Sequence, residues 1–162
     1  FESLFLWNLQ VDILSPLRLM VEKELIEVNG GGKLPSADKV AAALLEWMQG
    51  FTYTRDENGA DFLNIPAVCT DRSGDCDSRA LLMAVLLNHF NIGSILMIAP
   101  EQKHAVAAVD CEGAGARFTY KGKRYLIAET TAPVALGQIA QDLADPSLWF
   151  GVEWYTPPAL DE

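Results

Sequence analysis

Cysteine, histidine and basic residues are scarce in this sequence. Its 162 residues include three Cys, two His and 12 Lys or Arg, against 22 Asp or Glu. Three cysteines are too few, and odd in number, for the disulfide framework of a small secreted domain, so at least one thiol is expected to be free. The formal net charge of −10 repels phosphates and anionic lipid surfaces, which argues against nucleic acid as a partner.

Long apolar runs are missing as well. No run approaches the roughly 20 apolar residues that span a bilayer, so no membrane span is predicted. The short run SLFLW near residue 1 has no basic leader of the kind a signal peptide carries. Because the chain begins with Phe rather than Met, we expect a piece of a longer protein, and neither its compartment nor its oligomeric state follows from the sequence.

The composition that remains is that of a globular protein. Half of the residues are hydrophobic and 21% are charged, and the length fits one domain over 1–162 with a sizeable core. Apolar residues at helical spacing predict helices over 4–27 and 36–50, with Ser36 as the N-cap of the second. A third predicted helix starts at residue 75 or 76 and runs to Phe90; it is apolar on nearly every face and is therefore expected in the core.

The second half of the chain has the pattern of strands. The runs SILMIAP, HAVAAVD, ARFTY and RYLIAET are short and separated by turn residues, and Lys121-Gly122 is expected to form a hairpin turn. ALGQIAQDLADPSLW returns to helical spacing, and FGVEWY adds a last strand. The polar stretch from Phe51 to Asp75 is predicted to be a functional surface loop. This order predicts an α+β fold in which helices pack on an antiparallel sheet.

The segment SGDCDSRALLMAVLLNHF, residues 73–90, places Cys76 at the head of the central helix. Unpaired N–H groups and the helix dipole favour a thiolate there. Asp75 and Asp77 oppose it, so a cationic partner is needed for a useful nucleophile. On its own, a free Cys is more often a small buried hydrophobe, which is also how we interpret Cys69 and Cys111.

Two histidines are candidates for that partner. His89 lies 13 residues further along the same predicted helix, roughly 20 Å from Cys76, and is interpreted as a helix-end residue. His104 starts a predicted strand and can reach the thiol if the sheet packs on the helix. Asp110 lies roughly 20 Å from His104 along that strand, so Glu129, which ends RYLIAET, is the better candidate to orient the imidazole.

The same residues are chemically able to serve other uses. Zinc is disfavoured because Cys-x₆-Cys and His-x₆-Cys spacings do not match structural zinc sites. Calcium at Asp71, Asp75 and Asp77 lacks the spaced ligands of an EF-hand, and such acids are more often a solvated helix start. The aromatic residues Trp149, Phe150, Trp154 and Tyr155 are candidates for peptide binding or for core packing.

Three segments in order resemble the transglutaminase-like core of the papain-like cysteine enzymes: SGDCDSRALLMAVLLNHFNIGSILMIAP, KHAVAAVD and KRYLIAETTAP, within residues 36–135. The resemblance implies a Cys-bearing central helix packed on an antiparallel sheet, and a Cys-His-Asp triad that maps onto Cys76, His104 and Glu129. It also implies acyl transfer through a thioester, with no metal or organic cofactor. The family usually has Asp where this chain has Glu129, and the added methylene moves the carboxylate by about 1.5 Å.

FTYT and DFL also resemble the segment that lines the cleft in bacterial members of that family. Tyr53 is therefore a candidate cleft or oxyanion-side residue, with packing near a helix end as the alternative. The backbone N–H of Cys76 is the better oxyanion donor. The predicted function is a cysteine-dependent acyl-transfer enzyme, a peptidase or amidase acting on a protein or peptide; the alternative is a catalytically weak or inactive domain of this fold that binds proteins or peptides.

Overall fold

The computed structural model describes residues 14–55 and 65–152. Its helices are α1 (Leu14–Val28), α2 (Ala37–Gln49), α3 (Ile65–Asp71) and α4 (Cys76–His89). Its strands are β1 (Thr52–Tyr53), β2 (Ser73–Gly74), β3 (Ser94–Ala99), β4 (His104–Val109), β5 (Arg117–Tyr120), β6 (Lys123–Ala128) and β7 (Phe150–Val152). None of the helices in these two ranges is long and apolar enough to cross a membrane.

The central helix α4 forms as predicted, because its first turn is capped. The carboxylate of Asp75 accepts a hydrogen bond from the backbone N–H of Ser78 at 3.1 Å, which satisfies one of the free donors at the helix start. Nearly all of the helix from Cys76 to Leu87 is buried, and it contacts β3 and β4 as well as the other three helices. The head of this helix is thereby held at the junction of the helical layer and the sheet.

The main sheet has five antiparallel strands in the order β5-β6-β4-β3-β7. In this sheet Ala99 pairs with His104 at the turn end of the β3–β4 hairpin, and Ala107 pairs with Ala128 between β4 and β6. If the second register continues by one residue, Glu129 comes opposite Val106, diagonally next to His104 on the same face of the sheet. The predicted α+β architecture is confirmed.

The turn chemistry of the β5–β6 hairpin also agrees with its sequence. Lys121 and Gly122 both have positive φ, 46° and 78°, which is the backbone of the two-residue turns that match the twist of paired strands.

All four predicted strands between residues 94 and 128 are present. The last predicted strand is present as β7, which pairs with β3.

The predicted helix over 135–149 is wrong. This segment contains two short 3₁₀ helices, Gln141–Leu143 and Pro146–Leu148. The reason lies at Gly137, where the backbone N–H donates to Ile127 at 2.7 Å and the carbonyl accepts from Ala116 at 2.7 Å. Those main-chain groups bind the sheet and are not available for a helix, and Pro146 interrupts the rest.

Three further predictions are corrected by the structure or fall partly outside the described residues. The stretch over 51–75 is not a simple loop: it contains the short helix α3 and a two-residue parallel pairing of β1 with β2, while residues 56–64 lie outside the described residues. The predicted first helix is present from Leu14, and its part over 4–13 is outside them too. Ser36 stands at the start of α2, but its side chain makes no capping hydrogen bond.

The contact between Gly115 and Gly137 gives a test of how tightly this segment is fixed. A Cβ atom added at Gly115, which has φ +132°, would overlap the backbone of Gly137. We therefore expect Gly115→Ala to lower the free energy of unfolding by about 2–4 kcal/mol, measured by urea denaturation. Gly122→Ala is the matched control, because it also sits at positive φ but has open space for a Cβ; an equal loss in both variants would contradict the packing argument.

Candidate active site

His104 and Glu129 form the tightest polar contact of the candidate site. The imidazole Nε2 lies 2.6 Å from Oε2 of Glu129, and only 16% and 5% of the two side chains are exposed. The other carboxylate oxygen accepts hydrogen bonds from the backbone N–H and the hydroxyl of Thr131, at 2.9 and 2.8 Å. Both oxygens of Glu129 are thus engaged, so the carboxylate has a fixed orientation.

The environment of Glu129 also keeps its side chain ionised. Burial by itself favours the neutral acid, but the hydrogen bond and charge of His104, together with the two bonds from Thr131, outweigh it and hold the pKa of Glu129 below its ordinary value. The longer side chain of Glu, compared with Asp, does not prevent contact with the imidazole at this position.

The main chain around Glu129 is held from the helical layer. The side-chain amide of Gln49, at the end of α2, donates to the carbonyl of Glu129 at 3.0 Å and to that of Val134 at 2.8 Å. These bonds join the end of α2 to the segment that follows β6. Sequence reasoning missed Gln49, because a Gln near a helix end gives no sign of a partner 80 residues away.

Cys76 is the first residue of α4, and 6% of it is exposed. Its thiol packs among Ala80, Leu96 and Ala105. The Sγ donates to Oδ1 of Asp77 at 3.2 Å and lies 3.9 Å from the carbonyl oxygen of Lys103. The Lys103 contact shows that the turn just before His104 approaches the head of α4.

The resting thiol is neutral in this environment. Burial raises its pKa first, and the negative charge and acceptor oxygen of Asp77 raise it further, to about 12; a hydrogen bond from the Ala105 backbone acts in the opposite direction. The expected benefit of the helix head is therefore outweighed in the free protein. Any chemistry at Cys76 must remove this proton as part of the reaction.

Cys76 and His104 line one cavity of about 340 Å³. Its lining is mixed in charge and polarity: Tyr53, Arg55, Asp75, Cys76, Asp77, Ile98, Ala99, Pro100, Lys103 and His104. The structure thus brings Cys76, His104 and Tyr53 to one cavity, and Glu129 to the imidazole. Tyr53 is 53% exposed, and burial and the nearby acidic groups raise the pKa of its phenol, so it is in the neutral form.

A substitution at Asp77 tests directly whether this carboxylate raises the pKa of the Cys76 thiol. In Asp77→Asn the negative charge beside Sγ is gone and the new amide can donate to sulfur, so the pKa of Cys76 should fall from about 12. The thiolate fraction at a fixed pH rises about tenfold for each unit by which the pKa falls. Alkylation of Cys76 by iodoacetamide at pH 8 should therefore accelerate about tenfold or more. Mass spectrometry of the Cys76 peptide gives the rate.

The matched control for this change is Asp71→Asn, which removes one exposed carboxylate outside the cavity lining. It should leave the rate unchanged. If the alkylation rate is unchanged in Asp77→Asn as well, Asp77 does not raise the pKa of the Cys76 thiol.

Sequence reasoning also missed Arg79, one turn after Cys76. It is only 2% exposed, and its guanidinium donates to the carbonyls of Gly74, Phe51 and Thr130. Its three-residue spacing from Cys76 puts both on one face of α4. That spacing and its position inside an apolar helix are the signals that could have identified it, because a buried arginine requires partners.

The aromatic residues of the last segment fall into two groups. Trp149 is buried, with its ring centroid 6.1 Å from that of His104, and its indole N–H donates to the carbonyl of Leu143 at 2.8 Å. It therefore packs behind the imidazole rather than offering a free binding surface. Phe150 is 49% exposed, and Trp154 and Tyr155 lie outside the described residues.

The structure gives the acidic residues and the other thiols ordinary surroundings. Within 14–55 and 65–152, no group of three or more His, Cys, Asp or Glu side chains is arranged to hold a metal ion. Asp75 is used as the cap of α4. Cys69 and Cys111 are partly buried against the helical core, and burial raises the pKa of both, that of Cys69 to about 11.

Comparison with known proteins supports the fold. Neither the family models nor the curated proteins include one that matches this chain. Among solved structures, it is similar to a candidate cysteine protease from Cytophaga hutchinsonii, with 16% identity, a TM-score of 0.50, and coverage of 86% of this chain and 46% of the other. It is also similar to the periplasmic domain of TgpA from Pseudomonas aeruginosa, solved with ethylmercury. That comparison has 19% identity and a TM-score of 0.45, and it covers 82% of this chain and 51% of the other.

The fold defined by these observations is the transglutaminase-like, papain-like α+β fold predicted from the sequence. This chain spans about half the length of each of the two similar structures.

Proposed function

We propose that this domain is a cysteine-dependent acyl-transfer enzyme that hydrolyses an amide bond in a protein or peptide. The observation that carries the proposal is the 2.6 Å contact between His104 Nε2 and Glu129 Oε2, made by an imidazole that lines the same cavity as Cys76. A thiol, a base and an oriented carboxylate are the parts that nucleophilic acyl transfer requires.

The reaction follows from the roles of these groups. With its Nε2–H donating to Glu129, the imidazole has Nδ1 as its basic nitrogen. Nδ1 takes the thiol proton as Sγ of Cys76 bonds to the amide carbon. The backbone N–H groups at the head of α4 bind the resulting oxyanion. The C–N bond then breaks, the imidazolium gives its proton to the departing amine, and a thioester remains on Cys76.

The second half of the reaction regenerates the thiol. Water attacks the thioester carbon and gives a proton to the imidazole, and the C–S bond breaks to release a carboxylic acid while sulfur recovers the proton. We favour water over an amine acceptor because the cavity is open to solvent, with Tyr53 half exposed at its wall.

The neutral resting thiol fixes the order of proton transfer. Because the pKa of Cys76 is raised to about 12, a preformed thiolate is scarce near neutral pH, so His104 acts as a general base during the attack rather than before it. The carboxylate of Glu129 stabilises the imidazolium formed in that step.

The experiment that tests the proposal is capture of the thioester. The protein is incubated with a panel of activated acyl donors, such as peptide anilides and esters, quenched in acid and digested, and the Cys76 peptide is weighed by mass spectrometry. The expected result is an acyl adduct on Cys76 and not on Cys69 or Cys111. Equal acylation of the three thiols, or none, would overturn the proposal.

A second function is favoured by one observation, the raised pKa of Cys76 with Asp77 as acceptor. A thiol that is held neutral and 6% exposed fits a domain of this fold that binds a protein or peptide without cleaving it. In that case the cavity beside Tyr53 binds the peptide and Cys76 only packs. The thioester experiment separates the two functions.

A further inference from the structure

Arg79 connects three of the segments that supply the proposed site, those of Tyr53, Cys76 and Glu129. Its Nε donates to the carbonyl of Gly74 at 2.9 Å, just before the head of α4. One terminal nitrogen donates to the carbonyl of Phe51 at 3.0 Å, just before β1, and the other to that of Thr130 at 3.3 Å, immediately after Glu129. The planar guanidinium presents its donors in a fixed fork, so these three carbonyls are held at fixed relative positions.

Burying the guanidinium of Arg79 costs free energy, which indicates that an arginine is needed at this position for its hydrogen bonds and charge. A buried charge is tolerated only when it is paired and hydrogen-bonded. The partners of Arg79 are three neutral carbonyls, the ring of Tyr53 at 5.6 Å, and the charges of the nearby carboxylates Asp75 and Glu129. A hydrocarbon side chain would fill such a place without that cost, so packing alone does not account for an arginine.

The bond to Thr130 bears directly on the carboxylate. Glu129 and Thr131 lie on either side of Thr130, and Thr131 supplies both hydrogen bonds to Oε1. Arg79 therefore holds the middle of the short segment that orients the acid, while Gln49 holds the carbonyl of Glu129 itself. A shift of the Thr130 main chain would move Oε2 away from the imidazole.

We propose that Arg79 is a positioning residue for the reaction: it fixes the Glu129–Thr131 segment relative to the head of α4, so that the carboxylate holds the imidazole toward Cys76. This inference rests on the proposed function for its catalytic meaning. Its structural content, that Arg79 sets the His104–Glu129 contact, is measurable whether or not the protein turns over an amide.

The experiment compares Arg79→Lys and Arg79→Met with Arg117→Met. Arg117 is the matched control, because it also donates to two carbonyls, those of Cys111 and Gly113, away from the cavity. The readout is the downfield ¹H NMR resonance of the imidazole N–H bonded to Glu129, assigned by its loss in His104→Asn. Both Arg79 variants should lose or shift this resonance while near-ultraviolet circular dichroism stays native, and Arg117→Met should retain it.

A double-mutant cycle supplies the second readout, the alkylation rate of Cys76. If Arg79 acts through Glu129, Arg79→Lys should slow alkylation about tenfold alone but add less than twofold in a Glu129→Gln background. An unshifted resonance in both Arg79 variants or independent effects in the cycle would overturn the inference. So would a resonance that disappears only in variants whose near-ultraviolet circular dichroism is no longer native. A lost resonance in a protein that forms no thioester would instead leave the positioning role intact and end the proposed function.

Discussion

Replacing Cys76 by Ala is expected to lower the turnover of any amide substrate by about 10³-fold or more, since a nucleophile that forms the covalent intermediate has no substitute in the site. The loss should appear in kcat. The rest of the proposed substrate cavity, including Tyr53 and Asp77, is unchanged by removal of one sulfur atom. Substrate affinity, measured by equilibrium binding to the variant, should therefore stay within a few-fold of the wild type.

The fold should survive this substitution. Cys76 contacts the small residues Ala80 and Ala105 together with Leu96, and its removal leaves a space of one atom. Cys69→Ala and Cys111→Ala are the matched controls, because both are free thiols packed on the core. They should keep full turnover. Equal turnover by wild type and Cys76→Ala would end the enzymatic proposal and leave the binding module.

The sequence was sufficient to predict α4 and the strands because their signals are local. The apolar run after Cys76 predicts a buried helix, and α4 starts within the predicted bounds; the structure adds that Asp75 caps it through the backbone N–H of Ser78. The β5–β6 hairpin follows from Lys121-Gly122 in the same way. Glu129 could be chosen over Asp110 because strand geometry separates them: Asp110 is too far along β4, whereas Glu129 follows a strand that pairs with it.

What the sequence could not predict depends on contacts between distant segments. Gln49 bonds to Glu129 and Arg79 to Thr130 across 80 and 51 residues, and no local pattern encodes such a pair. The segment after residue 135 has helical spacing, yet the sheet captures the main chain of Gly137. The raised pKa of Cys76 could be predicted only in part: the opposing charge of Asp77 is visible in the sequence, whereas the burial that raises the pKa most depends on packing against β3 and β4.

These distant contacts also explain how one domain can fit either proposed function. The His104–Glu129 contact is built from rigid elements, with β4 and β6 paired and the following segment held by Gln49 and Arg79. Such preorganisation is what catalysis requires of its orienting groups. The thiol, by contrast, is restrained by Asp77. Whether the site is active therefore depends on how easily His104 removes the proton from Cys76.

The second large effect is expected for Glu129→Gln, which should reduce kcat by about 10²- to 10⁴-fold. Gln is close to Glu in size but uncharged, so it cannot stabilise the imidazolium. Its NH₂ group can donate to Nε2 of His104, which would place the ring proton on Nδ1. A ring protonated on Nδ1 cannot take the proton of Cys76, so the variant should be slow although its substrate still binds.

The comparison that isolates this effect uses two further variants. Glu112→Gln makes the same change at an exposed position and should keep the wild-type kcat. Glu129→Asp retains the charge but withdraws the carboxylate by about 1.5 Å, one carbon–carbon bond. Because Oε2 now lies 2.6 Å from the imidazole, that withdrawal breaks direct contact unless the strand moves. A kcat for Glu129→Asp between those of wild type and Glu129→Gln is expected, since charge without contact stabilises the imidazolium only in part. A Glu129→Gln variant within twofold of wild type would remove Glu129 from the mechanism.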